Sequence, residues 1–300
     1  MKLWPLALLF VSIGVFAESP RSTVEQDHPA QPKTQLDAEE AQARAWFRER
    51  RQEHPDLKQV AEGKYLISDE DTTPEATSSS DVWTLWKSPD GQWEVTGTLE
   101  FSDESVPYWI ELTPRMRPAV FKVFRRETTI GCRRTPSTLL CEETNSHGLV
   151  LRTAQHEING PTEIFMPMPF FWAGLARSSE FHGDEVAQLT LLAQGGETET
   201  FPVSFSPIDA SLRVLRRGKY PILQSEMDAA EFQLAARDPS EWHPHNPHDL
   251  PNPPGPEPQQ PYSPMMELWV SSDGILLFAS SPNTREGFVR LVQFKKLAGF

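Results

Sequence analysis

The chain has few basic residues, and this excludes one large class of function. Its 300 residues include 28 Lys and Arg against 42 Asp and Glu, so the formal net charge is −14. Proteins that bind nucleic acid need clustered cations that displace counterions from phosphates. The basic runs of this sequence are short, and we therefore expect no nucleic-acid partner.

The sequence also lacks the local motifs that mark common enzymes. It contains no Gly-rich phosphate loop, no GxGxxG dinucleotide motif and no GxSxG nucleophile elbow. His156 and Glu157 begin a zinc-protease motif, but Gly160 stands where the second histidine belongs. We expect no enzymatic activity and no cofactor. A hydrolase whose site is scattered through the fold stays as an alternative.

Long apolar runs are missing except near the first residue. Lys2, the apolar segment from Leu6 to Val15 and a small-residue pattern that ends at Ala17 are typical of a secretory signal peptide. No later run approaches the roughly 20 apolar residues that span a bilayer. We predict a signal peptide over residues 1–17, cleavage near Ala17, no transmembrane segment in the mature chain, and a periplasmic or secreted location.

Cysteine is scarce, and the two that occur form an even pair. Cys132 and Cys141 flank a Thr-Pro-Ser turn that is typical of a hairpin. Strands on either side of that turn would place the two sulfurs opposite each other. In an exported protein this pattern predicts a disulfide. A redox or metal pair is the alternative, but the spacing is not CxxC and further ligands are not close in sequence.

Composition divides the chain into successive regions. Residues 18–35 are polar and predict a disordered tail. A modest helical stripe predicts a helical segment over 36–63, and an acidic, small-residue stretch predicts a linker over 64–81. Residues 82–300 alternate between apolar and polar and predict one β domain, which contains a Pro-rich loop over 239–264.

Strand signals dominate this last region. From Trp93 to Phe101, apolar and polar side chains alternate as they do in a half-buried strand. Further short candidates follow, separated by turn residues, and no crossover helix of ten residues is evident between consecutive strands. We predict a mainly β (α+β) fold, in which a large curved antiparallel sheet or incomplete barrel follows an N-terminal helical segment.

Two groups of apolar residues are candidates for binding a ligand. One face of the Trp93 strand would line the concave side of the sheet. An irregular apolar run over 164–176 either plugs one end of the sheet as core or forms an apolar surface for an acyl chain or a partner protein. The candidate ligand-binding residues are Trp93, Val95, Leu99, Phe101, Phe170, Phe171 and Trp172.

Histidines cluster at one place in the Pro-rich loop. His243, His245 and His248 lie within six residues and could bind zinc, copper or nickel. Prolines keep such a segment extended, whereas structural metal sites draw their ligands from rigid elements. We therefore predict no functional metal site, with this tract as the alternative.

Three C-terminal segments carry a family resemblance. They are RGKYP with the following MDAAEFQLA over 217–235, MELWVSSDGILL over 266–277 and GFVRLVQF over 287–294. They resemble uncharacterised exported bacterial β-sheet proteins that are similar to the lipoprotein carriers LolA and LppX. The resemblance implies an incomplete, strongly curved antiparallel barrel with a helix over its open face, in which some members hold lipid or acyl chains. It implies no catalytic residues.

Two further functional hypotheses accompany the hydrolase. The first is an exported, non-enzymatic binding or carrier protein for lipid or another apolar molecule, which would need an apolar cavity. The second is an envelope-associated structural or interaction protein with a packed interior and a protein partner. The sequence alone does not choose between them.

Overall fold

A computed structural model describes most of the chain after residue 35. The described residues are 36–67, 79–101, 104–125, 127–166, 168–178, 186–194, 205–223, 225–236, 263–280 and 287–297. The predicted signal peptide, the tail over 18–35, most of the Pro-rich loop and the three histidines of that loop lie outside them. No helix in the described ranges is long and apolar enough to cross a membrane.

Two helices and fifteen strands make up the described structure. The helices are α1 (Leu36–Glu53) and α2 (Pro169–Ser178). The strands are β1 (Lys58–Ile67), β2 (Ser79–Lys87), β3 (Trp93–Glu100), β4 (Ser105–Leu112), β5 (Pro118–Phe124), β6 (Thr128–Arg134), β7 (Thr138–Asn145), β8 (Val150–Glu157), β9 (Thr162–Phe165), β10 (Val186–Gln194), β11 (Phe205–Ile222), β12 (Ser225–Ala236), β13 (Ser263–Ser271), β14 (Leu276–Ser280) and β15 (Gly287–Lys296).

All the strands belong to one open sheet, and the predicted mainly β fold with an N-terminal helix is confirmed. Their order is β8-β7-β6-β5-β4-β3-β2-β1-β15-β14-β13-β12-β11-β10-β9. Each strand up to β8 pairs with its predecessor in sequence, and β15 returns to pair with β1. Meandering connections of this kind produce antiparallel neighbours, since a short turn reverses the chain direction.

One pair of strands departs from the predicted antiparallel pattern. β9 and β10 are parallel, with Thr162 opposite Thr190. A parallel pair needs a crossover connection, and α2 provides it within the apolar run that the sequence left without a regular structure. Pro169 occupies the first position of α2, where its missing N–H costs no hydrogen bond. The prolines made this run look irregular in sequence, although one of them begins a helix.

The predicted helical segment over 36–63 is too long. Helix α1 ends at Glu53, and the following residues up to Ile67 form strand β1. Ala61, Gly63 and Tyr65 are buried, whereas the residues between them are half-buried. This period of two belongs to a strand that faces a core on one side. The sheet thus begins at residue 58, before the predicted start of the β domain at 82.

The two edges of the sheet lie close together in space. Strands β8 and β9 stand at opposite ends of the strand order, yet only residues 158–161 separate them. Ile158 N donates to Ser137 O beside β7, and Thr190 N on β10 donates to Pro161 O, at 2.8 and 2.9 Å. A sheet whose ends are joined by so short a segment must curl strongly. We call the gap between β8 and β9 the seam.

Each helix covers a different face of the curled sheet. Helix α1 lies on the outer face, where the Trp46 ring is 5.0 Å from Trp109 and Arg50 Nη2 is 2.7 Å from Glu94 Oε1. Helix α2 lies on the inner face and contacts β5, β9, β13 and β14. Because these strands come from both halves of the sheet, α2 bridges the concavity from one side to the other.

Candidate functional site

Glycine and aromatic residues alternate across the inner face. In the strand register Gly63 stands opposite Trp83, Trp83 opposite Gly97, and Gly97 opposite Tyr108. A Cβ placed on Gly97 would lie 2.3 Å from the Tyr108 ring, so the ring rests directly on the glycine backbone. These glycines let large rings lie flat against a strongly curved sheet, as bends in barrels require.

The structure places the predicted residues of β3 on this inner face. Val95 and Leu99 are fully buried, and both belong to the central core. Trp93 and Phe101 are half-buried and pack against that core from the two ends of the strand. The alternation read from the sequence thus identified the correct face. Whether these residues contact a ligand stays a prediction.

Aromatic side chains of α2 fill the concavity above that face. The ring of Phe170 is 4.9 Å from Trp83 on β2, and that of Phe171 is 5.2 Å from Phe121 on β5. Trp172 stacks at 6.0 Å on Phe165 at the end of β9. All three residues of α2 are at most 2% exposed. The helix therefore occupies the space in which a bound apolar molecule would contact the sheet.

Ion pairs at the rim of the sheet connect the two sides of the seam. Glu163 on β9 is buried and accepts hydrogen bonds from Arg117 Nη2, beside β5, and from Arg134 Nη1 on β6, the latter at 3.3 Å. Arg134 Nη2 also donates to Thr162 O at 2.5 Å. Burial raises the pKa of Glu163, and the two guanidinium groups oppose that rise. These contacts join the β9 edge to the opposite half of the sheet through side chains.

A buried carboxyl group lies within the inner face and was missed by the sequence analysis. Asp81 is 0% exposed, stands opposite Tyr65, and accepts hydrogen bonds of 2.9 Å from the Tyr108 hydroxyl at each carboxylate oxygen. Burial raises the pKa of Asp81 to about 8, against the smaller lowering effect of the Tyr108 hydrogen bond. The sequence contains the pattern that would have identified this buried carboxyl group. Asp81, Trp83 and Leu85 alternate with other residues along β2 and therefore lie on the same face of the strand.

The predicted disulfide is present. Cys132 and Cys141 stand directly opposite each other on β6 and β7, and their sulfurs are bonded at 2.07 Å. Both residues are buried in the core. The bond thus ties together two neighbouring strands of the half of the sheet that ends at the seam.

Metal-binding geometry is absent from the part of the chain that the structure describes, in which no group of three or more His, Cys, Asp or Glu residues could hold an ion. The candidate ligands His243, His245 and His248 lie outside that part, so the tract stays a sequence-based alternative. His156 lies on β8 against Phe205, with ring centroids 5.4 Å apart, and burial lowers its pKa. It packs beside the seam.

Among the described residues, surface depressions lie at the rim where β4, β6, β11 and β13 end. One has a volume of about 470 Å³ and is lined by the turns that follow β4 and β6, including Arg115, Arg117 and Arg134. The other, of about 360 Å³, lies where β11 and β12 extend beyond β13, beside Arg217 and Asp228. Both volumes fall within the range of small-molecule sites.

Comparison with protein-family models, with curated proteins and with solved structures gives no match to this chain. The candidate site is therefore defined by its geometry alone: an apolar concavity that contains α2, a seam held by ion pairs, and an arginine-lined pocket at the rim.

Proposed function

We propose that this protein is an exported, non-enzymatic carrier of an apolar ligand, and that α2 occupies the ligand site when the ligand is absent. The observation that carries the proposal is the position of α2 in the concavity. Phe170 packs on β2 and Phe171 packs on β5, and the helix also contacts β13 and β14 from the other half of the sheet. An acyl chain would bury the same apolar surface, so ligand and helix would compete for one space.

The small number of backbone hydrogen bonds that attach β9, the strand before α2, to the sheet supports this exchange. The helix follows β9, an edge strand of four residues that pairs with β10 through four positions only. Between β8 and β9 the described residues form no ladder, and the seam relies on the contacts of Glu163 and Thr162. Displacing β9 and α2 therefore breaks few backbone hydrogen bonds, whereas the fourteen-strand remainder keeps its ladders.

Export is supported by the disulfide between Cys132 and Cys141. Such bonds persist in oxidising compartments and are rare in the cytosol. Together with the signal-like sequence that ends at Ala17, the disulfide favours a periplasmic or secreted location. We expect the purified protein to begin at Glu18.

The first test is native mass spectrometry of protein purified from its own envelope without detergent, followed by solvent extraction. We expect a stoichiometric apolar molecule. Val95→Glu should abolish its retention, because the charge would enter the apolar inner face, whereas Leu149→Glu on an exposed position should retain it. Circular dichroism establishes that both variants fold. A wild-type protein that carries no apolar molecule would contradict the proposal.

A second test examines the competition between α2 and the ligand, and it does not require a variant that places a charge in the core. A Cβ on Gly174 would lie 3.0 Å from Pro118 Cδ, so cysteines at these two positions are close enough to be joined by an engineered disulfide. The joined protein should bind a fluorescent fatty acid far more weakly than the same variant left unjoined. Phe171→Ala should bind it more tightly, because weaker packing of α2 favours the displaced state. Equal binding in all forms would contradict the displacement of α2.

A second candidate function is favoured by the surface of β7 and β8. Strand β8 pairs only with β7 among the described residues, so the backbone groups of its other edge, which faces the seam, could pair with an added strand. Leu140, Leu149, Val150 and Leu151 are all exposed beside this edge. An extended apolar segment of an envelope protein would suit it, with the interior permanently filled by α2.

The two candidates predict different effects of Thr153→Pro. Proline removes a backbone donor and disfavours strand pairing, so this change on β8 should abolish capture of a protein partner in a crosslinking experiment in the native envelope. The same variant should keep an apolar ligand in the inner concavity. Thr153 lies on β8 opposite Glu142, and Gln155→Ala on the same strand is the control.

A further inference from the structure

We propose that the ligand of the concavity has an uncharged carbonyl group, as in an acyl ester, and that Asp81 and Trp83 on β2 donate hydrogen bonds to it. Both side chains belong to the inner face of the sheet, on which Phe170 of α2 packs. The inference rests on the proposed exchange of α2 for a ligand, and it adds the chemical class of that ligand.

Asp81 is a buried carboxyl group without a cation beside it. It is 0% exposed, and within the described structure its hydrogen-bond partner is the Tyr108 hydroxyl. Among the described residues, Glu100 is the charged group that affects the pKa of Asp81, and it raises this pKa, as burial does. A carboxyl group in such surroundings keeps its proton. Neutral Asp81 therefore has an O–H donor to offer.

The hydrogen bond with Tyr108 does not use all the donors of this pair. A neutral carboxyl group and a phenol have two O–H protons between them, and their mutual hydrogen bond uses one. The contacts of Asp81 and Tyr108 within the described structure include no further acceptor. One proton of the pair is therefore left for an acceptor that the described residues do not supply.

The indole of Trp83 is a second donor of this kind. Trp83 is 1% exposed, and its Nε1 atom is buried with no hydrogen-bond partner among the described residues. Protein cores leave few polar groups unpaired, because such a group loses its hydrogen bond with water and gains none in return. An acceptor that arrives with a ligand would satisfy this N–H group.

The two donors lie at neighbouring positions of the concave face. Asp81 and Trp83 are two residues apart on β2 and therefore share one face of the strand. The backbone of Gly63 lies directly beneath the indole, so the sheet closes that side. On the concave side, the ring of Phe170 contacts Trp83 in a T-shaped arrangement at 4.9 Å. Departure of α2 would expose this part of the face to a ligand.

The surroundings of the donors favour an uncharged polar group. In the strand register Asp81 stands in one row with Leu99 and Val106, both of which are buried. A carboxylate headgroup would lack a counter-charge here, and an ammonium group would require Asp81 to ionise in a buried position. The carbonyl of an acyl ester accepts hydrogen bonds without either cost. Its apolar chain would occupy the space of Phe170 and Phe171.

The experiment measures how two probes displace the neutral dye N-phenyl-1-naphthylamine from the full mature protein. Methyl laurate has an ester carbonyl, and tetradecane has a similar length without a polar group. Trp83→Phe keeps an aromatic ring and removes the N–H group. We expect it to weaken binding of methyl laurate about tenfold, the effect of one lost hydrogen bond, and to leave tetradecane unaffected. The difference between the probes separates the hydrogen bond from packing.

The matched control is Trp86→Phe. Trp86 lies on the opposite face of β2, where its Nε1 donates to Thr96 Oγ1 at 3.1 Å. The substitution makes the same chemical change on the same strand, away from the concavity. Binding of both probes should equal that of the wild type.

Two variants test the state of the carboxyl group. Asp81→Asn keeps a donor and an acceptor but cannot ionise, so at neutral pH it should bind methyl laurate as tightly as the wild type. The double variant Asp81→Leu/Tyr108→Phe removes both polar partners and leaves neither unpaired. It should weaken methyl laurate about tenfold, and unchanged binding of tetradecane shows that it folds.

Three outcomes would overturn this inference. In the first, Trp83→Phe binds methyl laurate as the wild type does, and in the second it loses both probes equally. In the third, dodecylammonium binds more tightly than methyl laurate and Asp81→Asn abolishes its binding, which would make Asp81 a carboxylate. Failure of the carrier proposal is distinct, because then neither methyl laurate nor tetradecane would bind to the wild type.

Discussion

The indole of Trp83 lies in the space that a side chain at residue 63 would fill. A Cβ built on Gly63 would be 2.4 Å from Cζ2 of Trp83 and 2.8 Å from the carbonyl oxygen of Gln293 on β15. Trp83 is among the largest fully buried side chains and also contacts Phe170 of α2. Gly63 therefore determines how closely the sheet and the inner helix approach each other.

Replacing Gly63 should test this relationship. Gly63→Ala places a methyl group where ring and backbone atoms lie, and we expect it to lower the free energy of unfolding by about 1–3 kcal/mol, the usual cost of overpacking. Gly218→Ala on β11 is the control, since no atom lies within 4 Å of its Cβ position. Urea denaturation followed by tryptophan fluorescence measures both. Equal stability of the two variants would show that Trp83 relocates without cost.

Because of Asp81, the free energy of unfolding should decrease as pH rises. Its pKa is about 8 in the folded protein and near 3.9 in an unfolded chain, so between these values only the unfolded state has released the proton. The unfolding free energy therefore decreases with pH in this window, by at most about 1.4 kcal/mol for each pH unit. The contribution of the neutral carboxyl is complete below pH 4 and is lost above pH 8.

Comparison with Asp81→Asn isolates this effect. The amide cannot ionise, so the stability of Asp81→Asn relative to the wild type should rise steadily from pH 4 to pH 8. Chemical denaturation at several pH values measures the difference. Asp228→Asn, which removes a carboxylate at an exposed position, is the matched control. A constant difference between Asp81→Asn and the wild type would contradict the raised pKa.

Loss of Glu163 should weaken the seam. Glu163→Gln leaves Arg117 and Arg134 without their carboxylate, and we expect a loss of about 2–3 kcal/mol, less than for a fully buried pair because both arginines keep some exposure. Glu62→Ala, which breaks an exposed pair with Lys295, should cost under about 1 kcal/mol. Hydrogen exchange of the β9 amides measures where stability is lost. Unchanged exchange in β9 would show that the seam does not depend on this carboxylate.

The disulfide should contribute measurably to stability. Closing a ten-residue loop constrains the unfolded chain by about 2–3 kcal/mol in the chain-entropy model. The double variant Cys132→Ala/Cys141→Ala should lose about this much, as measured by urea denaturation. Reducing agent should lower wild-type stability in the same way and leave the double variant unaffected. If reducing agent also destabilised the double variant, the loss of stability in the wild type would not be due to the disulfide.

Local patterns predicted the β domain, the disulfide hairpin and the inward-facing side of β3, because period-two alternation and turn chemistry depend on neighbouring residues. They failed where a local signal had two interpretations. Gly63 is compatible with the end of a helix and also with a strand position on which an aromatic ring packs. The prolines before Phe170 are compatible with a loop and also with the start of a helix. The strand opposite Gly63, which carries Trp83, decides the first case, and the packing of Phe170 on Trp83 decides the second.

Residue type and spacing are enough to establish the alternation of Val95, Leu99 and their neighbours, the cysteine pair and the acidic net charge. The tertiary structure decided which distant residues meet. Arg117, Arg134 and Glu163 lie far apart in sequence and converge because the sheet curls until β9 approaches β6. Curvature is the sum of twist and packing over fifteen strands, so no short window of sequence encodes it.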